Sequence, residues 1–206
     1  MSEMTGGAGA SPVGPIPEGR DLDDYDRLRR RVLWSLPTGL YVVGSRAGAR
    51  RNLMTCNWVM QMATSPKLVG VAVEHGSVTR ELIEEGGGFS VSVLPRTARA
   101  VVRRFVKPTE SVELNPDGSV VSMQGEPVFE AAGGLPYLEV ARSWLICRTL
   151  HVLRWDSDAV GGVASHVLCV GEVVDAGESD QAEHADPDGE DPGVLRMEDT
   201  RMNYGG

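Results

Sequence analysis

The sequence predicts a mainly β domain with flanking helices, on three observations. Short apolar runs at Leu40–Val43, Leu68–Val73, Phe89–Leu94, Trp144–Leu153 and His166–Val173 recur between Gly, Pro, Asn and Asp turn signals. Helical spacing is confined to short stretches, chiefly Asp21–Trp34 and the segment that Ser77 opens. A length of 206 residues, 41% of them hydrophobic, suits one domain with a sizeable core.

Residues 1–20 are rich in Gly, Pro and small side chains, a composition that stays disordered or extended. The main domain is expected over 21–177. Asp21–Trp34 reads as a helix: Asp residues crowd its start, arginines its end, and Leu22, Tyr25, Leu28 and Val32 share a face. Its arginines are expected to meet water. Asn52–Ala63 reads as one strand, with Met54, Cys56, Trp58, Met60 and Met62 in one parity, a spacing more often core than contact. Ser65-Pro66 breaks it from the buried run Leu68–Val73. The glycines Gly86 to Gly88 close a helix and start a strand. No Lys follows them, so they are not a phosphate loop. Thr97–Phe105 reads as a short helix, Asn115–Gly118 as a turn, and Tyr137–Trp155 as one bent or bulged strand. Residues 178–193 carry seven acidic side chains with Pro187 and Pro192, an exposed linker, and 194–206 reads as a tail that docks back.

The net charge of −9 belongs to the flanks. Between Val32 and Asp175 there are 13 Lys and Arg against 14 Asp and Glu, which leaves no electrostatic footprint for nucleic acid. Three cysteines, Cys56, Cys147 and Cys169, lie in apolar strand patterns without metal-type spacing. They read as buried thiols of a reducing compartment, and no metal site is expected. No apolar run approaches the roughly 18 residues of a membrane span, and the N-terminus lacks the pattern of a secretory signal. The expectation is a cytoplasmic protein with no membrane association.

One stretch carries chemistry. Gly76 lets the chain turn after Val73, and Ser77 then caps a helix whose first turn holds Thr79 and Arg80. The first amides of a helix lack internal partners and sit at the positive end of its dipole, so an anion is favoured there. The preceding strand adds Asn52, Thr55 and Asn57 beside Trp58, more hydrogen-bonding capacity than a structural strand needs. A phosphate and a flat polar ring could be held together by these two segments.

The order of these pieces resembles the flavin reductase-like domain of the FMN-binding split β-barrels. It rests on Leu36 to Val43, Asn52 to Thr55, Ser65-Pro66, Ser77 to Arg80, Gly88 to Leu94, Phe105, Gly125 to Val128, Trp144 to Leu153, His166 to Val173 and Met202 to Tyr204. The resemblance implies an antiparallel split barrel forming a homodimer, with the flavin near the subunit boundary. It implies that Asn52, Met54, Thr55, Cys56, Asn57 and Trp58 line the isoalloxazine edge. Glu74, His75, Gly76, Ser77, Thr79 and Arg80 would hold the ribityl chain and phosphate, with Phe105 also at the cofactor. His166 matches a histidine on the nicotinamide side and is the candidate catalytic residue. The sequence departs from the family at Ser165, where an acidic residue is common, and at Cys56 to Trp58, where small residues are usual.

The implied activity is reduction of FMN, or of FAD in its place, by NADH or NADPH, with the reduced flavin delivered to a partner monooxygenase. Hydride transfer needs stacking geometry and donors for growing negative charge more than an acid or base. Two other functions remain open at this point. One is an enzyme that keeps its flavin, or has repurposed the pocket, and acts on a small organic substrate. The other is a non-catalytic FMN-binding module.

Overall fold

The computed structural model describes residues 15–157, 162–179, 193–200 and 202. The acidic stretch 180–192, the first fourteen residues, Arg201, Asn203 and Tyr204 lie outside them. Helix α1 (Leu22–Trp34) is capped by the Asp21 carboxylate, which accepts from the Asp24 amide at 3.0 Å. Its arginines pair with its own acids, Arg29 and Arg30 with Asp26 and Arg27 with Asp24. The helix buries no residue. Its spacing is amphipathic as expected, and among the described residues Leu22, Val32, Leu33 and Trp34 stay exposed.

Thirteen strands follow among the described residues. A seven-stranded antiparallel sheet is built from β1 (Tyr41–Ala47), β2 (Arg50–Cys56), β3 (Val59–Thr64), β4 (Lys67–Glu74), β5 (Gly88–Val93), β10 (Ser143–Leu153) and β13 (His166–Glu178), in the order β2-β1-β5-β10-β13-β4-β3. Strands β2 and β3 stand at opposite edges, yet only Asn57 and Trp58 separate them. So short a link can join the two edges only if the sheet curls until they meet, which makes the barrel. The single strand read over Asn52–Ala63 is therefore two strands on different neighbours, β1 for one and β4 for the other. Periodicity runs through the link unbroken and gives no sign of the change of partner.

Strands β6 (Val112–Leu114), β7 (Val120–Met123), β8 (Glu126–Glu130) and β9 (Pro136–Leu138) make a second antiparallel sheet, and β11 (Asp156–Ser157) and β12 (Gly162–Val163) pair beyond the end of β10. The long strand read from Tyr137 to Trp155 is interrupted: β9 joins the small sheet, and β10 starts at Ser143 with register shifts at Ile146/Cys147 and Thr149/His151. Thr97–Phe105 is two short 3₁₀ turns, Arg96–Ala98 and Val101–Phe105, rather than one helix.

The core divides by strand parity. Val43, Val71, Val73, Phe89, Val91, Cys147, Val167 and Cys169 fill the barrel. Val42, Leu53, Leu94, Val102, Phe105, Met123 and Leu138 form a second cluster outside it, under the small sheet. Strand β1 is thus buried on both faces, which explains its continuous apolar run. On the outer face Gly44 lets β9 approach: a Cβ there would stand 2.0 Å from Pro136 O. Leu195 is buried, with its amide on Leu94 O at 2.8 Å and its carbonyl accepting from Leu40 N at 2.9 Å.

Helix α2 (Val78–Gly86) spans from the end of β4 to β5. Ser77 Oγ accepts from the Arg80 amide at 3.2 Å, and Gly87 closes the helix at φ 71°, a left-handed cap that favours glycine.

Candidate functional site

Where the barrel edges meet, a cleft of about 410 Å³ opens. Asn52, Met54, Thr55, Cys56, Asn57 and Trp58 form its β2 side, while Glu74, Gly76, Ser77 and Thr79 form the α2 side, and His166 closes one end. These eleven residues are brought together from separate stretches of the sequence. Their polar atoms are used unequally. Asn52, buried, donates from Nδ2 to Thr79 Oγ1 at 2.9 Å and accepts at Oδ1 from the Thr109 amide at 2.8 Å. Thr55 donates its hydroxyl to Val102 O. Thus Asn52, Thr55 and Thr79 brace the walls with their side chains. At the helix start, the amides of Val78 and Thr79 precede the first intrahelical donors, at the positive end of the helix dipole.

Three of the sequence-derived candidates stand off the cleft lining. Phe105 is fully buried in the core cluster with Val102 and Met123. Arg80 turns along its helix to Glu84, Nη1 to Oε2 at 2.7 Å, with Nε buried and unbonded. His75 donates its amide to Ser165 O at 2.8 Å, tying the end of β4 to the start of β13.

Besides Ala72, Val73 and Val78 of the same elements, the lining takes in Val106, Lys107 and Pro108 from the chain that follows the 3₁₀ turns. Sequence reasoning missed them because they lie outside any regular element. The available signal was one lysine between an apolar residue and a proline, a proline that keeps the lysine backbone extended. The loop is held to β2 by the Thr109 amide on Asn52 and by Leu53 N donating to Thr109 Oγ1 at 3.2 Å.

Around His166 the lining is aromatic, with the Glu74 carboxylate beside it. Trp58 meets His166 edge-on, ring centroids 4.6 Å apart at 65°. His166 pairs with Glu74 across β13 and β4, and Ser165 Oγ lies 2.9 Å from its Nδ1. Burial lowers the His166 pKa below its usual value, against the weaker opposing pull of Glu74. The imidazole is therefore neutral near pH 7, with Nε2 left for a ligand. Trp58, Met60 and Met62 do not join the core. Trp58, in the link before β3, is 37% exposed, and Met60 is 61% exposed on the uncovered face of β3. Cys56 is buried, its thiol donating to Ala72 O at 3.6 Å, and desolvation pushes its pKa up to about 12. It stays protonated and unreactive.

The residues fit a phosphorylated flat heterocycle. The volume suits a small-molecule site, a helix N-terminus and Lys107 in the lining favour an anion, and Met54 and Cys56 of β2 offer an apolar wall. Among the described residues no cluster of three or more His, Cys, Asp or Glu could hold a metal ion, and no helix is long and apolar enough to cross a membrane.

Comparison with known proteins bears on this cleft. The family model described as "Flavin reductase like domain" matches residues 33–198. The chain is 30% identical over 163 residues to an NADPH-flavin oxidoreductase of Streptomyces viridifaciens, covering 76% of each. It is 27% identical over 154 residues to a high molecular weight rubredoxin of Moorella thermoacetica, covering 71% of this chain but only 58% of that protein. Among solved structures, the NADH:FAD oxidoreductase SgcE6 of Streptomyces globisporus C-1027, in complex with NAD and FAD fragments, superposes with a TM-score of 0.59 at 25% identity, covering 79% of this chain and 87% of that one.

Proposed function

The chain belongs to the flavin reductase-like domain family, and on that premise we propose that it is an NAD(P)H-dependent FMN reductase supplying reduced flavin to a partner monooxygenase. The observation that carries the reading is the cleft between β2, the α2 N-terminus and His166, which brings a helix N-terminus and an aromatic contact into one lining. That relatives include an NADPH-flavin oxidoreductase and a structure holding NAD and FAD fragments supports it.

Flavin bound there would supply a two-electron acceptor. The protein's part is placement. The Val78 and Thr79 amides and Lys107 hold the phosphate. Met54 and Cys56 present an apolar wall to the ring, and the Asn57 amide, between the ladders of β2 and β3, is the donor for negative charge that grows on reduction. Neutral His166 orients the nicotinamide carboxamide through Nε2 and moves no proton. Arg80, turned to Glu84, supports the helix rather than the phosphate. We place the homodimer of this reading on the uncovered apolar surface at Trp58 and Met60, beside the cleft.

A second reading, a retained flavin acting on a small organic substrate, is favoured by the Trp58–His166 contact, which narrows the nicotinamide side. One experiment separates them: oxidation of NADH and NADPH by the purified protein, with FMN or FAD titrated in. Saturable turnover by a colourless protein supports the reductase. A Lys107→Ala variant is expected to raise the KM for FMN about tenfold or more, the loss of one charge-assisted hydrogen bond. A yellow protein with no turnover above the protein-free rate would replace the first reading with the second.

A further inference from the structure

A second cleft, of about 330 Å³, lies at the other end of β13 and shares no lining residue with the first. Phe129, Tyr137 and Trp144 wall it, and Glu139 and Glu178 stand at its rim. His166 and Glu178 are the two ends of a 13-residue strand, so the clefts are about 40 Å apart along it.

The aromatic wall is built. Tyr137 stacks on Trp144, centroids 4.8 Å apart at 30°, and Phe129 tilts against Tyr137 at 5.8 Å and 50°. Gly177 faces Trp144 in register, and a Cβ there would come within 2.5 Å of Trp144 Cζ2. Its absence lets the indole lie flat on β13. Phe129 nevertheless remains 48% exposed.

The rim charges set this cleft apart. Nearby Glu126, Glu130 and Glu172 hold Arg104, Arg51 and Arg148 respectively. Glu139 and Glu178 are exposed and form no ion pair among the described residues, and among those residues no Lys or Arg lines the cleft. Asp175 adds to the negative field, joining burial in raising the Tyr137 phenol pKa. An anion would be repelled, whereas a cation on the aromatic wall would be attracted by both carboxylates.

We propose that this cleft binds an organic cation of the guanidinium or ammonium class, seated against Phe129, Tyr137 and Trp144 with its charge between Glu139 and Glu178. Aromatic faces attract such cations, and a planar guanidinium can stack while forking onto a carboxylate. The source is a free small molecule or an arginine or lysine side chain of a protein.

The test is calorimetric titration of the full chain with three probes: agmatine, the tripeptide amide Gly-Arg-Gly, and a neutral alkyl urea of agmatine's length. Saturable binding of agmatine or the tripeptide, absent for the urea, is expected. The Glu139→Gln/Glu178→Gln double variant should weaken it about tenfold, with unchanged thermal melting. Agmatine binding identifies a small-molecule site; binding of the tripeptide alone identifies a protein side chain. No saturation by either cation, equal binding of the urea, or undiminished binding by the double variant would overturn the proposal.

Discussion

His166 shows how a single side chain acquires its role from its surroundings. Burial beside Trp58 lowers its pKa, so the folded state keeps the imidazole neutral where the unfolded chain, titrating near 6.5, already binds a proton. The unfolded state therefore binds more protons below that value, and stability contributed by this site is complete above about pH 6.5 and lost as pH falls toward the folded pKa. Urea unfolding at pH 7.5 and 5.5 is expected to show a smaller acid loss for His166→Gln than for the parent chain; equal losses would place the imidazole in water. The thiol of Cys56 behaves oppositely in charge but for the same cause. Desolvation holds it protonated near a pKa of about 12, so its place in the cleft is steric rather than nucleophilic.

At the scale of elements, the cleft depends on how β2, α2 and the Lys107–Thr109 loop are braced to one another. Asn52 is the brace, since it bonds Thr79 of the helix and Thr109 of the loop from one buried amide group. Replacing it by Ala leaves the Thr109 amide without its acceptor and separates the two arms of the anion end. An Asn52→Ala variant is expected to lose about 2–4 kcal/mol of stability in denaturant unfolding, and to weaken FMN binding more than the loss of one ligand contact. Undiminished stability would mean that water replaces both bonds at no cost. Strand β3 is the complementary case, a sheet edge among the described residues with an exposed face, Met60 included.

For the molecule as a whole, the uncovered apolar surface is the main physical problem left by one chain. Helix α1 buries nothing, and Leu33, Trp34 and Leu36 continue an exposed apolar run away from it, while Trp58 and Met60 are exposed beside the cleft. A second copy covering such surface removes it from water at about 25 cal/mol per Å² before the costs of association. Sedimentation at micromolar concentration is expected to give a dimer, shifted toward monomer by Met60→Asp. A monomeric parent chain would leave the cleft complete in one protomer.

The sequence by itself determined the strand-rich class, both α-helices with the Ser77 and glycine caps of the second, and the family, because local patterns and turn residues act over a few positions and were read at Ser77 and at Gly86 to Gly88. It also gathered most of the cleft residues, through the order of motifs along the chain. Only the tertiary structure decided that Asn57–Trp58 joins opposite edges of the sheet, that Arg80 faces Glu84, that Phe105 is core, and that Lys107 enters the cleft. Strand pairing and side-chain direction depend on partners distant in sequence, and a strand's two-residue period is the same whichever neighbour it meets.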